Sequence, residues 1–197
     1  MNAATRRISG RLALSTALVS AGLAIGGPAM ASPVAAGSSS AAVQQAAVQQ
    51  AAQNLGYEYT YSLGIPWPQS VLQTPQSITS EVTSNFAAYF PFSSDCARLP
   101  AVGGVCNLYN VGLANPIQVV ERTATSFTFM SLPGHAEGAY RYIRFTFYKV
   151  GADPFGDLRL QVSAWGPWTV AAAATISSGT ANYYWSQFAA NVGRAYQ

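Results

Sequence analysis

His135 is the only histidine in the chain, and it follows a Pro-Gly pair in Leu132-Pro133-Gly134-His135, with Glu137 two residues later. An imidazole titrates near neutrality and a nearby carboxylate can orient it, so His135 and Glu137 are the candidate general acid/base pair. A turn histidine hydrogen-bonded to neighbouring backbone is the alternative, and the residues alone leave both open. Asp95 and Glu121 are further candidate acids, but their spacing in sequence says nothing about convergence. Other chemistries lack their residues. There is no HExxH, no zinc-type Cys/His spacing and no second imidazole, so no metal and no cofactor is expected. His135 also has no GxSxG nucleophile elbow to serve.

The N-terminus has the pattern of a secretory leader, expected to span residues 1–31. Arg6, Arg7 and Arg11 form a basic head, residues 12–25 a short apolar stretch, and Ala29-Met30-Ala31 a small-residue cleavage site. The twin arginine leaves the folded-protein export route open beside the general one. No cysteine near the cleavage site offers a lipid anchor. The expected location is therefore secreted or extracytoplasmic. In that compartment Cys96 and Cys106 should pair as a disulfide, with Gly103 and Gly104 letting the loop close.

Removing the leader changes the charge argument. The chain carries 10 basic and 7 acidic residues, and three of the basic ones are leader arginines. A mature chain of balanced charge argues against nucleic acid or an anionic membrane as an electrostatic partner. Charged residues make up 9% of the chain and aromatic residues 12%, which fits an interior cavity or a sticky surface. No segment after the leader approaches the roughly 20 apolar residues of a spanning helix, and about five clear strands fall short of a transmembrane barrel.

The elements that must position these groups can be read from periodicity. Residues 32–56 should form an Ala/Gln-rich tether, because AAVQQAAVQQAAQNL has no charge and almost nothing to bury; it could link the domain to the cell envelope. A single domain follows over 57–197. YEYTYSLGI reads as a strand ended by prolines, and a helix capped by Ser77 should bury Ile78, Val82, Phe86 and Tyr89 or Phe90. A Gly/Pro-rich loop holds both cysteines. Strands are expected at 116–124, 126–132, 139–150 and 158–165, joined as an antiparallel meander. After Pro167 the chain reads helical, with Tyr184, Phe188, Val192 and Ala195 on one stripe. Alternation puts Ile143, Phe145 and Phe147 on the core side with Leu158, Leu160, Val162 and Ala164, leaving Tyr140, Tyr142, Arg144, Thr146 and Tyr148 on the other.

This order of strand, helix, meander and helix resembles the helix-grip (START-like, SRPBCC-type) superfamily. The segment from Asn115 to Trp168 is similar, more closely, to a START-related family of no assigned activity that has a Leu-Pro-Gly-His-Pro-Glu turn. Leu132, Pro133, Gly134, His135, Glu137 and Gly138 match that turn; Ala136 replaces its proline, and Ala139 and Tyr140 stand where it has an acidic pair. The resemblance implies an α+β fold in which a curved antiparallel sheet wraps a C-terminal helix around an apolar cavity. It places His135 in a hairpin turn at the cavity rim. The expected ligand-binding residues are Phe127, Phe129, Ile143, Phe145, Phe147, Leu160, Val162 and Phe188, under a cover of Tyr184, Phe188 and Val192. The expected function is an exported binding domain for a lipid or other hydrophobic small molecule. A cyclase- or hydrolase-type cavity enzyme using His135 and Glu137, or a non-enzymatic envelope component, are the alternatives.

Overall fold

YEYTYS alternates inward tyrosines with outward Glu58, Thr60 and Ser62 and forms β1, Tyr57–Ser62, with Tyr59 and Tyr61 buried. The computed structural model describes residues 54–197; the expected leader and the Ala/Gln tract to residue 53 lie outside the described residues. Asn54 and Leu55, at the end of the expected tether, pair with the chain around Pro167: Asn54 bridges Pro167, and the Leu55 N–H donates to the Gly166 carbonyl.

Three short helices follow: α1 (Gln69–Leu72), α2 (Pro75–Ser84) and α3 (Phe86–Tyr89). The cap of α2 is Thr74, not Ser77. Thr74 accepts from the Ser77 N–H while Ser77 Oγ accepts from the Thr74 N–H, a reciprocal capping box with Pro75 in the first turn. Asn85 separates α2 from α3, yet Ile78, Val82 and Phe86 still bury completely along one side.

The remaining strands are β2 (Ser93–Ser94), β3 (Val105–Asn110), β4 (Leu113–Arg122), β5 (Ser126–Ser131), β6 (Tyr142–Val150) and β7 (Asp157–Trp165). They form one antiparallel sheet in the order β1-β7-β6-β5-β4-β3-β2. The β6–β7 register runs unbroken from Tyr142 opposite Trp165 to Val150 opposite Asp157. A register shift between Val119 and Glu121 marks a bulge in β4, the kind of irregularity that bends a sheet. β3 falls where the sequence suggested only a cysteine loop.

Helices α4 (Val170–Ser177) and α5 (Thr180–Arg194) close the chain, separated by Gly179 at φ +79°. The buried stripe of α5 keeps the expected Phe188 and Val192, but Trp185 takes the place of Tyr184, Ala181 joins it, and Ala195 is exposed. Gly193 lets α5 press onto the chain after β1, since a Cβ there would lie 1.8 Å from the Leu63 carbonyl oxygen. A seven-stranded antiparallel sheet curled about a C-terminal helix is an α+β helix-grip fold, as expected.

Cys96 and Cys106 form a disulfide across the start of β3, with Cα atoms 5.8 Å apart and Cys106 buried. A buried disulfide fits an oxidising, extracytoplasmic setting. The bond closes a loop of about 11 residues, so replacing both cysteines by serine should cost about 2.5–3 kcal/mol on the chain-entropy account. Urea unfolding checks this: the midpoint should fall in the double variant, and reductant should lower the wild type equally. No change with either treatment would show that the bond constrains nothing.

Candidate functional site

The concave face of the sheet is occupied in two different ways. Around β5, β6 and α5, the side chains are solid. The Phe90 ring lies within 6 Å of the rings of Phe86, Phe129, Phe145, Trp185 and Phe188, and Phe127 stacks on Phe145 at 5.1 Å. Of the eight residues expected to bind a ligand, Phe127, Phe145, Phe147, Leu160, Val162 and Phe188 belong to this packed region and do not line the cavity. The reason is α2 and α3. Their buried side chains reach the concave face and fill space that the sequence reading had left to α5 alone.

Open space remains beside the β3–β4 hairpin, as a cavity of about 260 Å³. Phe129 and Ile143 line it, together with apolar groups from Phe90, Phe92, Leu108, Ile117 and Trp185. Tyr184 also reaches it from α5. Its exposed lining residues lie on three segments, namely the hairpin tip (Val111, Leu113), the β5–β6 turn (Ala136) and the start of α5 (Thr180). These segments frame its mouth.

His135 and Glu137 both line this cavity. Their turn is built by backbone bonds that Pro133 and Gly134 make feasible, Gly134 having φ +98°. The His135 N–H donates to the Leu132 carbonyl and the Gly138 N–H to that of His135. Ser131 Oγ donates to the Gly138 carbonyl at 2.7 Å and accepts from the Arg141 N–H at 3.0 Å. Asn115, on β4, accepts from the Ala136 N–H at 2.9 Å. Thr169 caps α4 by accepting from the Ala172 N–H and donates to the Glu137 carbonyl, tying the turn to that helix.

The imidazole is held in one state. The Glu137 N–H donates to Nδ1 of His135 at 3.1 Å, so the neutral ring carries its proton on Nε2. Burial, with help from the Arg141 charge, lowers its pKa to about 4. At neutral pH His135 is therefore a neutral hydrogen-bond donor whose free lone pair is already engaged. Glu137 Oε2 lies 3.9 Å from Arg141 Nε. Burial raises the Glu137 carboxyl above its ordinary range, while Arg141 and Thr175 act the other way.

The sequence reading missed Arg141, Tyr57 and Trp185. The Arg141 guanidinium donates to the carbonyls of Pro167 and Leu55. Trp185 Nε1 donates to the Tyr57 hydroxyl at 2.7 Å, and burial pushes the Tyr57 phenol well up. Among the described residues no acceptor meets the Tyr57 O–H, which leaves it available within the cavity. Arg141 did give a signal, because continuing the inward alternation of Phe145 and Ile143 places a cation on the core side of its strand.

The comparisons with known proteins come down to shape. No family model matches the chain, and no curated protein sequence matches it. Solved structures do. The solution structure of the Aha1 dimer from Colwellia psychrerythraea is 12% identical over 72% of this chain and 95% of that one, with a TM-score of 0.52. The protein XoxI from Bacillus cereus is 13% identical over 73% and 94%, with a TM-score of 0.49. A crystal structure of a protein from Mesorhizobium loti is 15% identical over 72% and 94%, also at 0.49. The likeness is one of fold.

The pKa of His135 has a measurable consequence. An unfolded chain takes up a proton as pH falls through about 6.5, whereas the folded one resists until about 4. Stability from the neutral ring is thus full above pH 6.5 and lost on the way down to 4, at most about 3 kcal/mol. Glu137 has the opposite sign, since the folded state holds its proton at higher pH and acidification favours that state. Urea unfolding of wild type and His135→Asn at several pH values separates the two. The wild type should lose more stability than the variant between pH 6.5 and 4, and parallel curves would contradict a depressed pKa at His135.

Proposed function

We propose that this protein is an exported, START-like binding domain whose cavity holds a hydrophobic small molecule, or the end of a lipid, with a neutral polar group. The observation that carries this reading is the two-part lining of the cavity. Its walls are mostly aromatic and aliphatic, while one side presents two hydrogen-bond donors, His135 Nε2–H and the Tyr57 hydroxyl, beside a carboxyl already balanced by Arg141. Such a site favours a hydroxyl, carbonyl or amide over a full charge, because a second buried charge would have no partner.

The volume narrows the class further. A space of about 260 Å³ lies just below the roughly 300–1,000 Å³ of pockets that take drug-sized ligands, so it suits a short chain or a ring compound rather than a whole phospholipid. Each methylene covered would contribute about 0.8 kcal/mol. The leader-like N-terminus and the disulfide support export, and the Leu132–Gly138 turn supports kinship with the START-related family of that motif.

Native mass spectrometry of protein recovered from its natural export route tests the proposal, alongside melting temperatures with fatty acids, fatty alcohols, sterols and aromatic probes. Bound hydrophobic mass should be present and removable by solvent. Uncharged members of the panel should raise the melting temperature more than their carboxylate counterparts. A protein that is consistently empty and unmoved by the whole panel would overturn it, and the envelope-component reading would replace it.

A further inference from the structure

The β3–β4 hairpin turns at Val111-Gly112, where φ is +50° and +79°. A two-residue turn with both φ values positive suits Asn-Gly or Asp-Gly, and a β-branched residue in that region is strained. Val111 is also 93% exposed, so no packing within the domain offsets the strain. Leu113, immediately beyond the turn, is 67% exposed. Both side chains stand at the mouth of the cavity. An apolar, strained and solvent-facing residue at the entrance to a binding site points to a role outside the domain.

The surroundings indicate what it meets. No charged residue occurs between Leu99 and Val120, the stretch that supplies the hairpin, or between Leu160 and Gly193, the stretch that supplies the opposite side of the mouth. The third side contributes Glu137 and Arg141, which face each other. Tyrosines flank the tip: Tyr184 donates to Asn110 Oδ1 at 3.3 Å, and the 60% exposed Tyr183 packs edge-on against it. Apolar tips backed by tyrosines and free of charge match the boundary between acyl chains and headgroups, and they require no anionic lipid.

We infer that the cavity mouth docks on a neutral or zwitterionic lipid surface, with Val111 and Leu113 entering the apolar layer. A hydrophobic molecule would then pass between membrane and cavity without crossing water. Among the described residues no helix is long and apolar enough to cross a membrane. The inference draws its purpose from the binding-domain reading, but its test needs no ligand.

Co-sedimentation with phosphatidylcholine vesicles is the experiment, using the purified protein, Val111→Asn and Leu113→Asp. Wild type should bind, and neither high salt nor added phosphatidylglycerol should change binding much, since charge is not the attraction. Val111→Asn should melt no lower than wild type, because asparagine tolerates the turn, yet it should lose roughly tenfold in vesicle partition. Leu113→Asp should lose at least as much. Absence of wild-type binding, or Val111→Asn binding as wild type does, overturns the inference. So does a concentration-dependent dimer that dissociates in Val111→Asn, which would assign the tip to a second copy. Ligand-induced melting shifts separate the two proposals: shifts retained without vesicle binding sink the docking surface alone, while vesicle binding without any shift sinks the ligand reading alone.

Discussion

Everything at the polar end of this domain depends on one buried cation. Arg141 is 6% exposed, and a guanidinium removed from water must have its N–H groups met by fixed acceptors. The acceptors come from distant parts of the chain: the Leu55 carbonyl ahead of β1 and the Pro167 carbonyl after β7, with the Glu137 carboxylate near by. Satisfying that charge therefore fixes where the chain enters the sheet, where it leaves for α4, and how the His135 turn lies between them. The approach is close enough that a Cβ at Gly166 would meet Arg141 Cα at 2.7 Å. The pKa values of His135 and Glu137 also answer to this cation, which pushes both down.

The cavity exists because two covers share one sheet. Helices α2 and α3 bring Ile78, Val82, Phe86 and Phe90 against the part of the sheet opposite α5, and aromatic rings close that region completely. The β3–β4 hairpin extends the sheet beyond their reach. There the cover is the first half of α5 with Thr175 of α4, and beside Tyr184 and Trp185 the small Thr180 and Ala181 leave space beneath. A void bounded by a charged, hydrogen-bonded turn on one side and rings on the other is the outcome of that mismatch in length.

Alternation and turn chemistry made most of this fold legible. Phe145 and Phe147 on β6, the inward set on β7 and the apolar face of α2 bury as their spacing requires. Elements were lost where local cues were atypical. β3 carries two asparagines and ends in a valine turn, so neither strand propensity nor the usual Asn-Gly signal marks it. Ser77 and Thr74 both look like caps, and only their reciprocal bonding decides between them. At the site, His135 and Glu137 were visible as unusual residues on a turn. Which phenylalanines face open space was not, because that depends on α2 and α3 reaching the sheet from 40 residues or so away, a tertiary fact that no pattern within one strand encodes.

The order of the strands bears on how the domain is made. β1 pairs with β7 and with no other strand, Tyr57 lying opposite Ala164. On the ribosome, β1 emerges roughly a hundred residues before its partner, whereas β2 to β7 can zip up neighbour by neighbour as they appear. The first strand must wait, its tyrosines unburied, until nearly the whole chain is synthesised, and Arg141 cannot complete its set of acceptors before then. A nascent or truncated chain lacking β7 would thus present an open meander with an uncovered edge and a loose N-terminal ribbon, the form of this protein most exposed to proteases and to chaperones.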